Sequence, residues 1–337
     1  MGEWLPWATA MQRALFGPGG FYLGATVPAA HFRTSVTVAP DLVANAIVAV
    51  LEHVQAELGS TSGAPVDLVD LGAGGGELLA ALAGTVPRHV RLHGVDVAAR
   101  PPGLPPGVTW SSRLPEVDVA VVVAHEYLDN VPVDVVEVAP DGAPRHVLVD
   151  AATGAERLGG PLTGADTDWI ARWWPLQGAP AGTRAEIGRA RDAAWSEAVG
   201  RVRRGVALAI DYDHLLAHRP RGGTLTGYRR GRVVAAVPDG SCDLTAHVAL
   251  DACGAAGQAA GATATVLIRQ SEALRALGLD PARPRPADAR EDPLGYLRAL
   301  AAAGTAAELL DRTGLGGFGW LVQGVGVRLP DPFRRIE

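Results

Sequence analysis

Val66-Asp67-Leu68-Val69-Asp70-Leu71-Gly72-Ala73-Gly74-Gly75-Gly76-Glu77 is the stretch from which the rest of this chain can be read. Its first six residues are a short apolar run bounded by Pro65 and glycine, the signature of a buried strand. The glycines let the backbone turn sharply and approach a ligand. A helix expected from Glu77 to Ala83 then presents its N–H groups to that ligand. A second strand, Val90–Val95, ends at Asp96, 20 residues beyond Gly76. A carboxylate at that strand end is placed to accept hydrogen bonds from ribose hydroxyls.

Outward from this turn the same alternation continues. Apolar residues at Ile47, Leu51, Val54 and Leu58 predict a helix over 41–58. Val117–Ala124 is almost wholly apolar, as strands inside a parallel sheet are. Further strands are expected at Val108–Trp110, Val206–Ile210 and Trp320–Arg328. Strands alternating with helices predict an α/β fold with a doubly wound, Rossmann-like sheet. Residues 1–60 read as a lead-in segment and helix, and 61–150 as the nucleotide-binding core. Trp169, Trp173, Trp174 and Trp195 mark 151–204 as a helical insertion or cap. Residues 205–337 complete the core with substrate-side insertions, and the proline-rich stretch 280–293 reads as a linker or surface loop.

Composition narrows the chemistry. The chain has 337 residues, 30 basic against 36 acidic, for a net charge of −6. Every basic residue is Arg, which excludes a Schiff-base lysine and the phosphate-gripping lysine of P-loop enzymes and kinases. The acidic balance argues against nucleic acid as a partner. Two cysteines, Cys242 and Cys253, are too few for a disulfide framework, so a reducing cytoplasm is the expected compartment. The N-terminus carries no basic and apolar signal segment, and no apolar run reaches membrane-spanning length.

A dinucleotide fingerprint beginning at Gly72 would need Gly or Ala at position 77, which is Glu. The pattern from Asp70 to Gly76 is instead D-x-G-x-G-x-G, the form typical of class I S-adenosylmethionine (SAM) methyltransferases. A carboxylate at the helix start would repel a pyrophosphate; SAM has none, and its sulfonium is cationic. SAM is therefore the expected cofactor, held by Asp70, Gly72, Gly74, Gly76 and Asp96. Strand Val117–Ala124 runs into His125-Glu126-Tyr127-Leu128-Asp129-Asn130-Val131-Pro132, where Glu126 and Asp129 sit three apart at a strand's carboxyl end. Asp211-Tyr212 follows another strand end. His214 and His218 are four apart but lack the Glu of an H-E-x-x-H arrangement, so no metal site is expected.

The chain resembles the MidA family of methyltransferases. The matching stretches are Gly19-Gly20-Phe21-Tyr22, Phe32-Arg33-Thr34-Ser35 through Pro40, Asp70 to Gly74, His125 to Pro132, Ala209-Ile210-Asp211-Tyr212, Gly223-Thr224-Leu225 with Tyr228, and Asp243-Leu244-Thr245-Ala246-His247-Val248. The family's mitochondrial members are complex I assembly factors that dimethylate an arginine of a complex I subunit. The resemblance implies a protein-arginine methyltransferase acting on an acceptor protein, such as a respiratory-complex subunit. Glu126 and Asp129 would orient a guanidinium, with Asp211 and His247 as further catalytic candidates. Tyr127, Tyr212 and Tyr228 are candidates for substrate binding. His125 stands where the family usually has Asn, Asn130 where it has Ala, and Gly75 where a larger residue is common. A small-molecule methyltransferase and a non-catalytic assembly module remain the alternatives.

Overall fold

Seven strands build the main sheet of the computed structural model, which describes residues 3–23, 34–59 and 65–334. Phe32 and Arg33, part of one of the matching stretches, lie outside the described residues. In chain order the strands are β1 (Val66–Leu71), β2 (Val90–Val95), β3 (Thr109–Ser111), β4 (Val117–His125), β5 (Val202–Asp211), β6 (Ala264–Arg269) and β7 (Gly319–Val325). They lie side by side as β6-β7-β5-β4-β1-β2-β3. The first five are parallel, and β7 runs antiparallel to both of its neighbours.

The chain moves outward from β1 to β2 and β3, then returns to place β4 on the other side of β1. The strand order therefore reverses between β1 and β4. In an open α/β sheet, that crevice at the carboxyl ends is where ligands bind.

Period-two alternation along β4 feeds two cores. Val121 and Val123 join Leu68, Leu79 and the helix Pro40–Glu57 on one face. Ala120, Val122 and Ala124 join Trp195, Ala198 and Leu250 on the other, beneath helices Arg189–Gly200 and Leu250–Ala259. Burial on both faces explains why this strand is a continuous apolar run.

A second, antiparallel sheet follows β4 directly. Asp134–Val138 pairs with Pro144–Asp150 and with Arg184–Ile187, and Glu156–Pro161 and the N-terminal Trp4–Pro6 also join Pro144–Asp150. Helix Trp7–Phe16 buries Trp7, Met11 and Leu15 against it. The stretch expected to be a helical cap thus contains two helices, Gly164–Trp173 and Arg189–Gly200, and sheet strands as well. The two helices do different jobs: Trp169 packs on the second sheet, while Trp195 packs under the main one. Glu156–Pro161 carries two glycines and a proline and is largely exposed, so it shows no apolar alternation to read. Among the described residues, no helix is long and apolar enough to cross a membrane.

Candidate active site

A cleft of about 1020 Å³ opens at the reversal between β1 and β4. The glycine turn forms one wall. Gly72 has φ of 77°, and a methyl group there would lie 2.7 Å from Tyr127 Cδ2, so only glycine lets the turn and Tyr127 close together. Asp96 holds the turn in shape: its carboxylate accepts the Gly74 N–H at 2.9 Å and the Ala98 N–H at 2.8 Å. Asp70 lines the same wall and is buried. Desolvation, reinforced by the charges of Asp96 and Glu77, raises its carboxyl to about 7. Gly76 starts helix Glu77–Ala83 with φ of 77° but does not itself line the cleft. Gly75 has no left-handed φ, and the atoms nearest to a side chain placed there belong to the flexible Glu77 carboxylate.

The second wall grows from the end of β4. Glu126 adopts φ of 48°, a left-handed conformation that costs a non-glycine residue about 1–3 kcal/mol. Its N–H donates to the Ile210 carbonyl at 2.8 Å, which fixes the kink, and the Ser35 N–H donates to its Oε1 at 3.3 Å. Burial and the charges of Asp129 and Asp243 push the Glu126 carboxyl well above the usual range. The Thr245 hydroxyl donates to Asp129 Oδ2 at 2.7 Å, while Asp129 Oδ1 is buried with no hydrogen-bond partner among the described residues. Asp243, raised to about 7 by burial and by Asp129, faces the same space. Three buried carboxylates thus converge at one end of the cleft.

Asp211 lies behind this wall rather than in it. Its carboxylate accepts the N–H groups of Leu128 at 3.0 Å and Asp129 at 3.1 Å, capping the turn that carries the acidic residues. It is fully buried and absent from the cleft lining, so its expected catalytic placement is corrected to one of support. His247 is also off the cleft wall; its ring stacks on Tyr212 with centroids 5.6 Å apart. Tyr127 stands against the glycine turn, on the cofactor side, whereas Tyr212 and Tyr228 line the acidic end. His214 lies in a short strand, Asp213–His214, and His218 in a separate single turn, so the two do not share a helical face.

Tyr22, Asp243 and Thr245 lie in stretches that match the MidA pattern but have no role assigned from sequence, and Arg191 lies in none of those stretches. Asp243 and Thr245 are two apart on one strand, and that spacing places them on one face. Tyr22 and Arg191 carry no such signal. Arg191 is buried and donates to the carbonyls of Asp129 at 2.6 Å, Val131 at 3.1 Å, Ala246 at 2.9 Å and His247 at 2.8 Å. It ties the two acidic loops together.

Two solved structures are similar to this chain over 99% of its length and 91% of theirs, both at 28% identity. One, with a TM-score of 0.80, is a superfamily member from Burkholderia thailandensis, described as a "likely methyl transferase" and bound to S-adenosyl-homocysteine. The other, with a TM-score of 0.78, is the native crystal structure of an uncharacterized superfamily protein from the same organism. No curated protein matches the chain. A family model described as "Putative S-adenosyl-L-methionine-dependent methyltransferase" matches residues 95–268, just over half of the 337.

The site suits that cofactor. Gly72 keeps the turn free of side chain, Asp70 offers a carboxylate to a cationic ligand, and Asp96 stands where ribose hydroxyls are met. The chain belongs to this family of SAM-dependent methyltransferases, and S-adenosylmethionine is its cofactor.

Proposed function

We propose that the acceptor is an arginine side chain of a protein, as the resemblance to MidA implies. The observation that supports this most directly is Asp129 Oδ1, a buried carboxylate oxygen with no hydrogen-bond partner among the described residues, beside Glu126 and Asp243. Burying an unpaired carboxylate is unfavourable, and all three groups respond by raising their pKa values. A guanidinium supplies what they lack: a charge that cannot be titrated away and five N–H donors in a planar fork.

Bound in the glycine wall, S-adenosylmethionine supplies a methyl group on a positively charged sulfur. The protein's part is to align the acceptor nitrogen with it and keep water out. Glu126 and Asp129 hold the guanidinium, and Tyr212 and Tyr228 shape the apolar channel around its stem. Methylation would form the new nitrogen–methyl bond as the methyl–sulfur bond breaks and leaves its electron pair on sulfur, and the displaced N–H proton would pass to a Glu126 carboxylate oxygen. Strain at Glu126 and the Asp211 cap keep that carboxylate aimed while the site waits. We place the activity in the cytoplasm, on an acceptor such as a respiratory-complex subunit.

The test is Glu126→Gln with methyl-labelled SAM and a cell lysate. Wild type should put label on protein, recovered after hydrolysis as methylarginine. The variant should bind S-adenosylhomocysteine normally and lose transfer by at least ~100-fold, the scale of a proton acceptor in place. Unchanged turnover, or label confined to the small-molecule fraction, would overturn the reading.

A further inference from the structure

Three residues outside the glycine turn and the Glu126–Asp129 pair close the acidic end of the cleft. Tyr22 comes from the N-terminal segment, Asn130 from the turn after β4, and Asp243 from the strand Asp243–Thr245. The Tyr22 hydroxyl lies 2.8 Å from Asn130 Oδ1 and 2.9 Å from Asp243 Oδ1. Asn130 Nδ2 lies 3.4 Å from that same Asp243 oxygen. The Tyr22 ring is itself held, stacked on Phe16 at 5.5 Å and met edge-on by Phe21 at 5.2 Å. All three polar groups face the cleft. Asp243 is 4% exposed, so a carboxylate has been taken out of water and locked in orientation beside the unpartnered Asp129 Oδ1.

A buried, oriented carboxylate of this kind discriminates by the number and direction of the donors it is offered. Glu126, Asp129 and Asp243 approach from three separate segments. A planar guanidinium can donate to more than one of them at once, while an ammonium is a compact point donor with three protons. A neutral ligand leaves the carboxylates without a counter-charge. Asn130 adds a constraint of its own, because an alanine there would leave both the Tyr22 hydroxyl and Asp243 one partner short.

We propose that Tyr22, Asn130 and Asp243 form a specificity element that makes the acceptor pocket select a guanidinium over an ammonium. This rests on the cationic-acceptor reading above and adds to it which residues choose between cations.

The experiment uses the full chain loaded with S-adenosylhomocysteine and three probes: the capped tripeptides Gly-Arg-Gly, Gly-Lys-Gly and Gly-citrulline-Gly. Binding is read by calorimetry for wild type, Asp243→Asn, Asn130→Ala and Tyr22→Phe. Wild type should favour the Arg peptide over the Lys peptide by about tenfold or more, the scale of one well-oriented charged hydrogen bond. Each variant should shrink that ratio by at least ~3-fold while its affinity for S-adenosylhomocysteine stays within about twofold of wild type. Tyr22→Phe keeps the ring and its stacking, so it reports on the hydroxyl even if Asp243→Asn folds poorly. If wild type binds the citrulline peptide as well as the Arg peptide, the cationic-acceptor reading itself fails. If wild type discriminates but all three variants keep its Arg-to-Lys ratio, the specificity element is wrong and the cationic reading survives.

Discussion

Replacing Asp70 with Asn should stabilise the cofactor-free protein, by an amount that grows with pH. Asp70 is 4% exposed, and burial, with the charges of Asp96 and Glu77 behind it, raises its carboxyl from 3.8 to about 7. Between those two values an unfolded chain has released the proton and the folded chain still holds it. The unfolded state then binds fewer protons, so stability falls as pH rises through this window. Below it, both states are protonated and the effect vanishes; above it, the loss is complete. A rise from 3.8 to about 7 at 1.36 kcal/mol per unit sets a ceiling of about 4 kcal/mol. The carboxylate faces a cleft that water can enter, so roughly half of that, ~2 kcal/mol, is expected. Asparagine keeps the shape and has no proton to lose.

Urea unfolding of both proteins at about pH 3.5 and about pH 8 measures the difference without assuming either absolute stability. The two midpoints should be close in acid and separate at the higher pH, with Asp70→Asn the more stable. Saturating S-adenosylmethionine should narrow the gap at the higher pH, because the wild-type carboxylate then gains its cationic partner; 100-fold excess over Kd contributes about 2.7 kcal/mol. A gap that is the same at both pH values would mean that Asp70 is ionised in the folded, cofactor-free protein. Burial and the neighbouring acids would then not be holding the proton on Asp70, and the raised carboxyl would be wrong.

Two further substitutions test the walls separately. Gly72→Ala combines a left-handed φ of 77° with a methyl group 2.7 Å from Tyr127 Cδ2, so it should weaken S-adenosylhomocysteine binding at least ~10-fold by calorimetry, equivalent to about 1.4 kcal/mol. Arg191→Met removes the donor that meets four backbone carbonyls and should lower stability by about 3–5 kcal/mol in urea unfolding, with the greatest loss of hydrogen-exchange protection at residues 129–131 and 246–247. A loss under about 1 kcal/mol would show that the two acidic loops hold each other without it.

Local chemistry explains what could be read directly from the chain. The turn at Gly72–Gly76, the acid at Asp96 and the strands β1, β2 and β4 each depend on neighbours within about 30 residues, and composition and period expose them. Glu126 and Asp129 were visible because a strand's carboxyl end is where chemistry gathers in this architecture. Asp211 shows the limit. It follows a strand end just as Glu126 does, yet its carboxylate turns inward to cap Leu128 and Asp129. Nothing in residue type distinguishes an acid that caps a turn from one that faces a ligand. His247 was similarly ambiguous, because only the packing shows its ring lying against Tyr212, off the cleft wall. Tyr22 and Arg191 were silent because their partners are distant in sequence and backbone carbonyls leave no mark on it. The second sheet was hidden in part because one of its strands, Glu156–Pro161, is exposed and carries two glycines, while the tryptophans nearby suggested helix alone.

The contacts of the two cleft walls differ greatly in the length of chain they enclose. The Gly74–Asp96 contact that shapes the cofactor wall closes a loop of 22 residues, whereas Tyr22–Asp243 at the acidic end spans 221. Loop-closure entropy grows as (3/2)RT ln n, so the tenfold longer loop costs about 2 kcal/mol more. Contacts of low separation also form sooner than distant ones. The glycine wall can therefore be in place on a chain whose acidic end is still open. The molecule acquires its capacity to hold a methyl donor before its capacity to choose what receives the methyl group.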